Sequence, residues 1–391
     1  MTVAINIILL VAAIPFVYYL LSLYSAARYF SVARKENPPN NDFFPPISCL
    51  KPIKGLDEDA YENYASFCRQ DYPEYEILFC VDQNDPAVPV LEKLIRDFPN
   101  RNIRLIFGSG RNAINDKVGR LVRLVDEAKY DLFVITDGDI RVTPEYLRTV
   151  AHPFRDPKVG GATCLYASTD EKKFIEELQT IGMASDFFAG ILVAWRLDGV
   201  KFMFGQTIVM TRQANTAFGT YRVNENKPAD DLLAGRMVAE QGYEVKLLPY
   251  VVKTVADFNS MRDLLYKRTR WMTVMRLMRP WGHLGLVLTF GLPASLLAIA
   301  LRPTFPVAVG FFGAYAVLRM AMAGLIGVYV MKQKGIWRKI PLIPVWDAVA
   351  FGIWLASFTR TTIRWRGVDY TIRDGMLVLP QQRKTQNATG D

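Results

Sequence analysis

The sequence predicts an α/β fold built on a doubly wound, mainly parallel sheet, held to a membrane by an N-terminal transmembrane anchor and C-terminal membrane helices. Three observations carry that expectation. Short apolar runs alternate with amphipathic helical patterns from residue 47 to about residue 258, the first 27 residues hold no charged side chain, and long apolar runs return after Pro280. Alternation of strand and helix is the pattern of a parallel sheet covered on both faces.

The chain has 391 residues, room for one domain plus something more, and its 51% hydrophobic content is high for a soluble enzyme. Net charge is +9, with the basic residues clustered beside the apolar segments. That clustering favours anionic headgroups and a phosphorylated substrate, and no nucleic-acid signature is present. The four cysteines form no CxxC spacing and read as reduced core residues. The only two histidines, His152 and His283, leave little material for a histidine-ligated metal or a Ser-His-Asp relay.

In order, residues 1–28 read as a transmembrane anchor, since an uncharged run of this length at about 1.5 Å per residue crosses a hydrocarbon core. Arg28, Arg34 and Lys35 follow it and place the next domain on the cytoplasmic side. Residues 29–46 are the connecting segment, rich in proline and asparagine from residue 37. The strand–helix alternation marks a domain over 47–258. Strands are expected at 47–53, 75–82, 103–109, 131–137, 159–166, 205–212 and 245–252. Helices are expected at 59–69, 88–98, 116–128, 170–194 and 230–241.

Residues 259–281 read as an amphipathic interfacial helix. Residues 282–331 then hold two apolar spans, 283–301 and 303–331. Residues 332–373 form a re-entrant or interfacial segment with a basic C-terminal region, because basic clusters on both sides of 340–359 would share one face. Asp347 within that segment is expected to face protein or headgroup. Residues 374–391 make a polar tail.

The sharpest chemical signal is DLFVITDGDIR at 131–141. A buried strand ends at Thr136, and Asp137 and Asp139 flank Gly138 where open α/β sheets bind ligands. Two carboxylates on one tight turn suit Mg²⁺ or Mn²⁺ bridging the phosphates of a sugar-diphosphate donor, although a bare DxD also fits an acidic surface turn. Other strand ends supply Lys51 and Lys54, then Asp82, then Asn115, Asp116 and Lys117 opening a helix; each suits a nucleotide and each also fits a solvated charge or a cap. Asp230 and Asp231 open a later helix, as a general base or as caps. In 262–279 (RDLLYKRTRWMTVMRLMR), Arg270 could reach a diphosphate while Trp271 packs beside an acceptor.

Taken in order, Asp82, Asp137-Gly-Asp139, Asp230-Asp231 and Lys267-Arg-Thr-Arg270-Trp271 resemble the D, DxD, D, (Q/R)xxRW series of processive-type inverting glycosyltransferases of the GT-A fold. The stretches ILFCVDQNDPA, NDKVGRL, IPVWDAVAFGIW and IRWRG make the chain most similar to ceramide glucosyltransferases, over residues 47–367. The resemblance implies that Asp82 and Lys117 contact uridine, that Asp137 and Asp139 hold the metal, and that Asp231 is the base with Asp230 in place of the usual Glu. It assigns Arg270 and Trp271 to the last motif, whose first position is here Lys267.

The expected activity is inverting transfer of a sugar, glucose favoured, from a UDP-sugar to the hydroxyl of a membrane lipid such as ceramide. The rival acceptor is a hopanoid side chain receiving N-acetylglucosamine. A transporter would place its polar site among the spans, and a lipid-binding scaffold has no use for DGD.

Overall fold

The structure, a computed structural model, describes residues 2–35, 42–169, 171, 173–255, 260–333, 335–365 and 368–379. Part of the connecting segment and most of the polar tail lie outside these residues. Eleven strands occur among them: β1 (Ile47–Pro52), β2 (Tyr75–Val81), β3 (Asn102–Phe107), β4 (Leu132–Ile135), β5 (Ile140–Arg141), β6 (Val159–Thr169), β7 (Ile208–Thr211), β8 (Glu244–Val255), β9 (Thr362–Trp365), β10 (Val368–Arg373) and β11 (Met376–Val378). The first eight form one sheet in the order β3-β2-β1-β4-β7-β6-β8-β5.

β1, β2 and β4 are buried along their whole length, because helices cover both sheet faces there. Pairing is parallel from β3 to β4 and between β6 and β8; β7 runs antiparallel to both its neighbours, as β5 does to β8. The expected α/β class and mainly parallel sheet are observed. All four cysteines are buried and free.

Among the described residues four helices are long and apolar enough to cross a membrane: Val3–Arg34, Phe174–Asp198, Phe305–Val330 and Ile336–Ser357. For Phe174–Asp198, 67% of the apolar window is buried inside the protein, against 17% for Val3–Arg34, so the former has little surface left for lipid. It packs under β6 and carries a π-helical turn at Met183–Phe187.

The 283–301 run is not one straight helix. Pro280–Thr289 and Gly291–Leu301 meet at a 56° bend, where Phe290 leaves helical geometry and Pro293 follows. Asp347 does face protein: it pairs with Arg319 and accepts from Tyr315 Oη at 2.8 Å, and Arg319 also donates to the Ser185 carbonyl. This buried pair ties Phe305–Gly324 and Ile343–Ser357 to the π-helical turn, and removing one partner would strand a charge.

A second, three-stranded sheet (β11-β10-β9) occupies the region read as basic C-terminal sequence, and its last strand, β11, lies in the stretch read as the start of the polar tail. Its apolar face, Ile363, Tyr370, Ile372 and Leu377, packs on Val274 and Leu277 and on Ile114. Leu377 N donates to Asn226 O at 2.7 Å, which sets this sheet against the catalytic domain.

Candidate active site

β4 ends because its partner changes. Thr136 N still reaches Leu50 O at 3.3 Å, but Asp137 N donates to Gly205 O at 3.2 Å. Asp139 O then accepts from Val255 N at 3.2 Å, and Ile140 pairs with Thr254 in β8. The Asp137-Gly-Asp139 turn is thus pinned by backbone bonds at both ends. Gly138 is required by close approach: a Cβ there would lie 2.8 Å from Asp57 Oδ2 and 3.3 Å from Ile53 Cδ1.

The Asp230–Glu240 helix enters through Ala229 in left-handed geometry, φ 53° and ψ 52°, an uncommon conformation for a residue with a Cβ. That entry sends Asp231 back toward the sheet. Its Oδ1 accepts from Leu232 N at 2.7 Å, and its Oδ2 leaves the helix to accept from Gly205 N at 2.9 Å. Asp230 caps nothing. It is buried, and its Oδ2 has no hydrogen-bond partner among the described residues.

Lys117, in the first turn of the Asp116–Glu127 helix, lies between these acids, 2.7 Å from Asp137 Oδ1 and 3.9 Å from Asp230 Oδ2. The convergence is centred on Gly205. A Cβ on it would stand 3.0 Å from Asp137 Oδ2, 3.0 Å from Lys117 Nζ and 3.5 Å from Asp231 Oδ2. Three elements far apart in sequence therefore deliver two carboxylates and an ammonium to one glycine.

The electrostatics follow from burial. Asp231 is pushed up to about 6, first by desolvation and then by Asp230, while Lys117 pulls the other way. Asp139 is raised to about 7 by burial, then by Asp137 and by Asp57. Burial works to lower the Lys117 ammonium, yet Asp137, Asp230 and Asp231 together hold it above its ordinary value.

Asp137 and Asp139 supply hard oxygen donors with excess negative charge, which fits a divalent cation such as Mg²⁺ or Mn²⁺. Among the described residues no group of three or more His, Cys, Asp or Glu side chains is arranged as a metal cage. A cation held by these two acids would complete its shell with substrate phosphates and water, as Mg²⁺ commonly does.

The predicted nucleotide residues divide. Asp82 meets Arg120 Nη2 at 2.6 Å, and Arg120 Nε reaches Asp116 Oδ2 at 3.3 Å, which Lys54 also meets at 3.0 Å. This network lines the ends of β1 and β2. Lys117 is placed among the carboxylates. Lys51 lies behind the site, fully buried, with Nζ donating to Thr136 Oγ1 at 2.8 Å and sitting 3.6 Å from the Phe67 ring centroid. It braces the turn from within.

Trp271 and Arg270 lie on the Met261–Met278 helix, capped by Ser260 Oγ, which accepts from Asp263 N at 3.2 Å. Trp271 faces the site through a row of rings, with Phe187 at 6.5 Å and Phe204 beyond it at 5.8 Å, next to Gly205. Arg270 lines a small cleft with Tyr266, Thr273, Arg360 and Thr362, toward the C-terminal sheet. Asp57, Arg120 and Gly205 were not anticipated from the sequence. The acidic run directly after the first strand points to Asp57, and the NDKVGRL stretch contains Arg120; nothing local marks Gly205.

The sequence model of glycosyl transferase family 21 matches residues 7–378. The chain is 22% identical over 380 residues to ceramide glucosyltransferase 3 of Caenorhabditis elegans, covering 93% of this chain and 81% of the nematode protein. It is 34% identical over 142 residues to a ceramide glucosyltransferase of Komagataella phaffii, a likeness spanning 34% of this chain and 28% of the yeast protein. Among solved structures, a mannosyltransferase from Pyrobaculum calidifontis in complex with GDP-Man and Mn²⁺ superposes with a TM-score of 0.56 at 14% identity, over 89% of this chain and 99% of that one. The shared fold is GT-A.

Proposed function

This chain is a member of glycosyl transferase family 21, and from that premise we propose that it moves a sugar, glucose in first place, from a UDP-sugar to the hydroxyl of a membrane lipid such as ceramide, with inversion at the anomeric carbon. One observation carries the reading: Asp231 and Asp137 face each other across Gly205, with Lys117 between them. A base and a diphosphate-binding acid must stand on either side of the reacting carbon, and the lack of a Cβ on Gly205 lets both side chains approach one point.

Asp231 takes the proton of the lipid hydroxyl while that oxygen bonds to the anomeric carbon. The bond from that carbon to the phosphate oxygen breaks, its electron pair leaves with UDP, and a β-glycoside results from an α-linked donor. Asp137 and Asp139 are the residues that would hold Mg²⁺ or Mn²⁺, which when bound neutralises charge on the departing diphosphate. Asp82 binds the nucleoside end and Trp271 packs on the acceptor, while Arg270, whose cleft opens toward the C-terminal sheet, adds its charge to the diphosphate only by turning out of that cleft. Asp230, a buried acid next to Asp231, keeps the base from ionising too easily.

The apolar helices give the reaction its place. A two-chain lipid is nearly insoluble, so a site at the interface lets the headgroup meet the sugar while the tails stay in the bilayer. The basic clusters support a catalytic domain on the cytoplasmic face. Protease access to a C-terminal tag in oriented vesicles decides whether Ile336–Ser357 crosses the membrane or returns. For the chemistry, the detergent-solubilised protein is incubated with a panel of UDP-sugars and lipid alcohols, and products are read by mass spectrometry. Glucosyl-ceramide is expected, N-acetylglucosaminyl hopanoid would replace this acceptor assignment, and no glycolipid from any pair would end the reading. Asp231→Asn should lower kcat by about 10²–10⁴-fold while UDP still binds.

A further inference from the structure

Away from the carboxylates, a cavity of about 250 Å³ opens between the N-terminal helix and the sheet, lined by Tyr29, Phe30, Arg34, Pro249, Tyr329 and Lys332 among others. Two candidate spans end here together: Arg34 closes Val3–Arg34, and Lys332 lies just past Phe305–Val330. Both cations are exposed at the rim, and among the described residues no carboxylate lines the cavity.

The walls are built. Tyr29 Oη donates to Leu248 O at 2.7 Å, the Phe30 ring meets Tyr329 edge-on at 5.3 Å, and the Arg34 guanidinium stands 5.7 Å from the centre of the Phe30 ring. Pro249 occupies the bulge where β8 slips against β6, between the Cys164–Leu248 and Leu165–Val251 pairs.

Lys332 adds a second kind of evidence. Its φ is 58°, a left-handed conformation that favours glycine. The surrounding chain enforces it: Met331 N donates to Ile326 O and Gln333 N to Gly327 O, both at 2.8 Å, while the Gln333 side chain donates to Ser168 O at 2.8 Å. A lysine kept where a glycine would sit without strain suggests that its side chain is needed there.

We propose that this cavity binds the phosphate of an anionic membrane lipid. Two cations at the headgroup end of paired apolar helices recognise a phosphodiester, and the Phe30–Tyr329 wall suits the glycerol and first methylenes. The volume falls short of the roughly 300–1,000 Å³ that takes a drug-sized ligand, so a headgroup enters and the acyl chains run out past Tyr329, which is 52% exposed. The bound lipid would clamp the N-terminal helix to Phe305–Val330 and to β8. The inference rests on the chain being membrane-embedded and not on which sugar it transfers.

The test uses the full chain in detergent, with native mass spectrometry against phosphatidylglycerol, phosphatidylcholine and inorganic phosphate. The wild type should retain one phosphatidylglycerol in preference to phosphatidylcholine. Arg34→Gln with Lys332→Gly should cut that retention by at least about tenfold, since each cation near a headgroup is worth a several-fold factor. Glycine at 332 relieves the left-handed strain, so the loop should survive. Arg34→Gln alone, which leaves the loop untouched, should give an intermediate loss. Arg28→Gln with Arg338→Gln removes the same charge outside the cavity and should leave retention unchanged. Wild-type retention in the cavity variants, an equal loss in the control, or displacement of the lipid by millimolar inorganic phosphate would each overturn the proposal.

Discussion

Lys117 Nζ stands 2.7 Å from Asp137 Oδ1 and is held among three aspartates, Asp137, Asp230 and Asp231. Its charge lowers the proton affinity of Asp231, against the upward push of burial and of Asp230. Lys117→Met should therefore raise the Asp231 pKa further. The acid limb of kcat/KM against pH, expected near 6 in the wild type, should move to higher pH. The sign is fixed by chemistry: the base works when deprotonated, so a higher pKa withdraws activity from a wider acidic range. An unmoved limb would show that Lys117 and Asp231 do not sense each other.

Metal binding should carry its own pH signature. Burial and the neighbouring Asp137 and Asp57 raise Asp139 to about 7, and a carboxylate must lose its proton to ligate. Affinity for Mn²⁺ alone, followed by electron paramagnetic resonance, should weaken by about tenfold from pH 8 to pH 6. Asp139→Asn should bind weakly at both values, and removal of divalent ions with a chelator should stop transfer by the wild type. A pH-independent affinity would place the ion elsewhere.

The place of the DGD turn in the fold is legible in the sequence. The apolar run ending at Thr136 announces a strand end, and the DGD that follows falls at the sheet edge because parallel strands place their ends there. Gly205 was not legible, because its role is to leave room for Asp137, Lys117 and Asp231, which only tertiary structure brings together. Lys51 misled in the other direction. A lysine at a strand end reads as a phosphate ligand, yet here the strand buries it against Phe67. The C-terminal sheet was hidden because the arginines and aspartates between its inward-facing Ile363, Tyr370, Ile372 and Leu377 masked the two-residue period under a basic composition. The bend at Phe290 was hidden for a related reason, since hydropathy registers Gly291 and Pro293 only as apolar.

The burial of Lys51 has a thermodynamic consequence. Desolvation lowers its ammonium from about 10.5 to about 7 in the folded protein. Between those values the unfolded chain binds the proton and the folded chain does not, so stability rises with pH across that window. Below pH 7 both states are charged and the full desolvation penalty is present. Lys51→Met fills the same space without a charge. Its thermal inactivation in detergent should vary less between pH 7 and 9 than that of the wild type, and it should be the more heat-resistant at pH 6.5. Because Lys51 also donates to Thr136, the same variant should lose some activity through a looser DGD turn.

Gly205→Ala separates the folding role of this position from its catalytic one. The glycine has no left-handed φ, so the backbone accepts alanine without strain. The added methyl would stand 3.0 Å from both Asp137 Oδ2 and Lys117 Nζ, which are ends of side chains that can shift. Folding should thus change by less than about 1 kcal/mol, as for most tolerated substitutions. The reacting groups, however, would be pushed apart by a few tenths of an ångström, part of the ~1 Å misplacement that costs about 10²-fold in rate. The expected result is a protein with wild-type melting behaviour and UDP affinity within a few-fold of normal, but kcat lower by roughly tenfold. Wild-type kcat in Gly205→Ala would mean that the space between Asp137 and Asp231 is not where the sugar reacts.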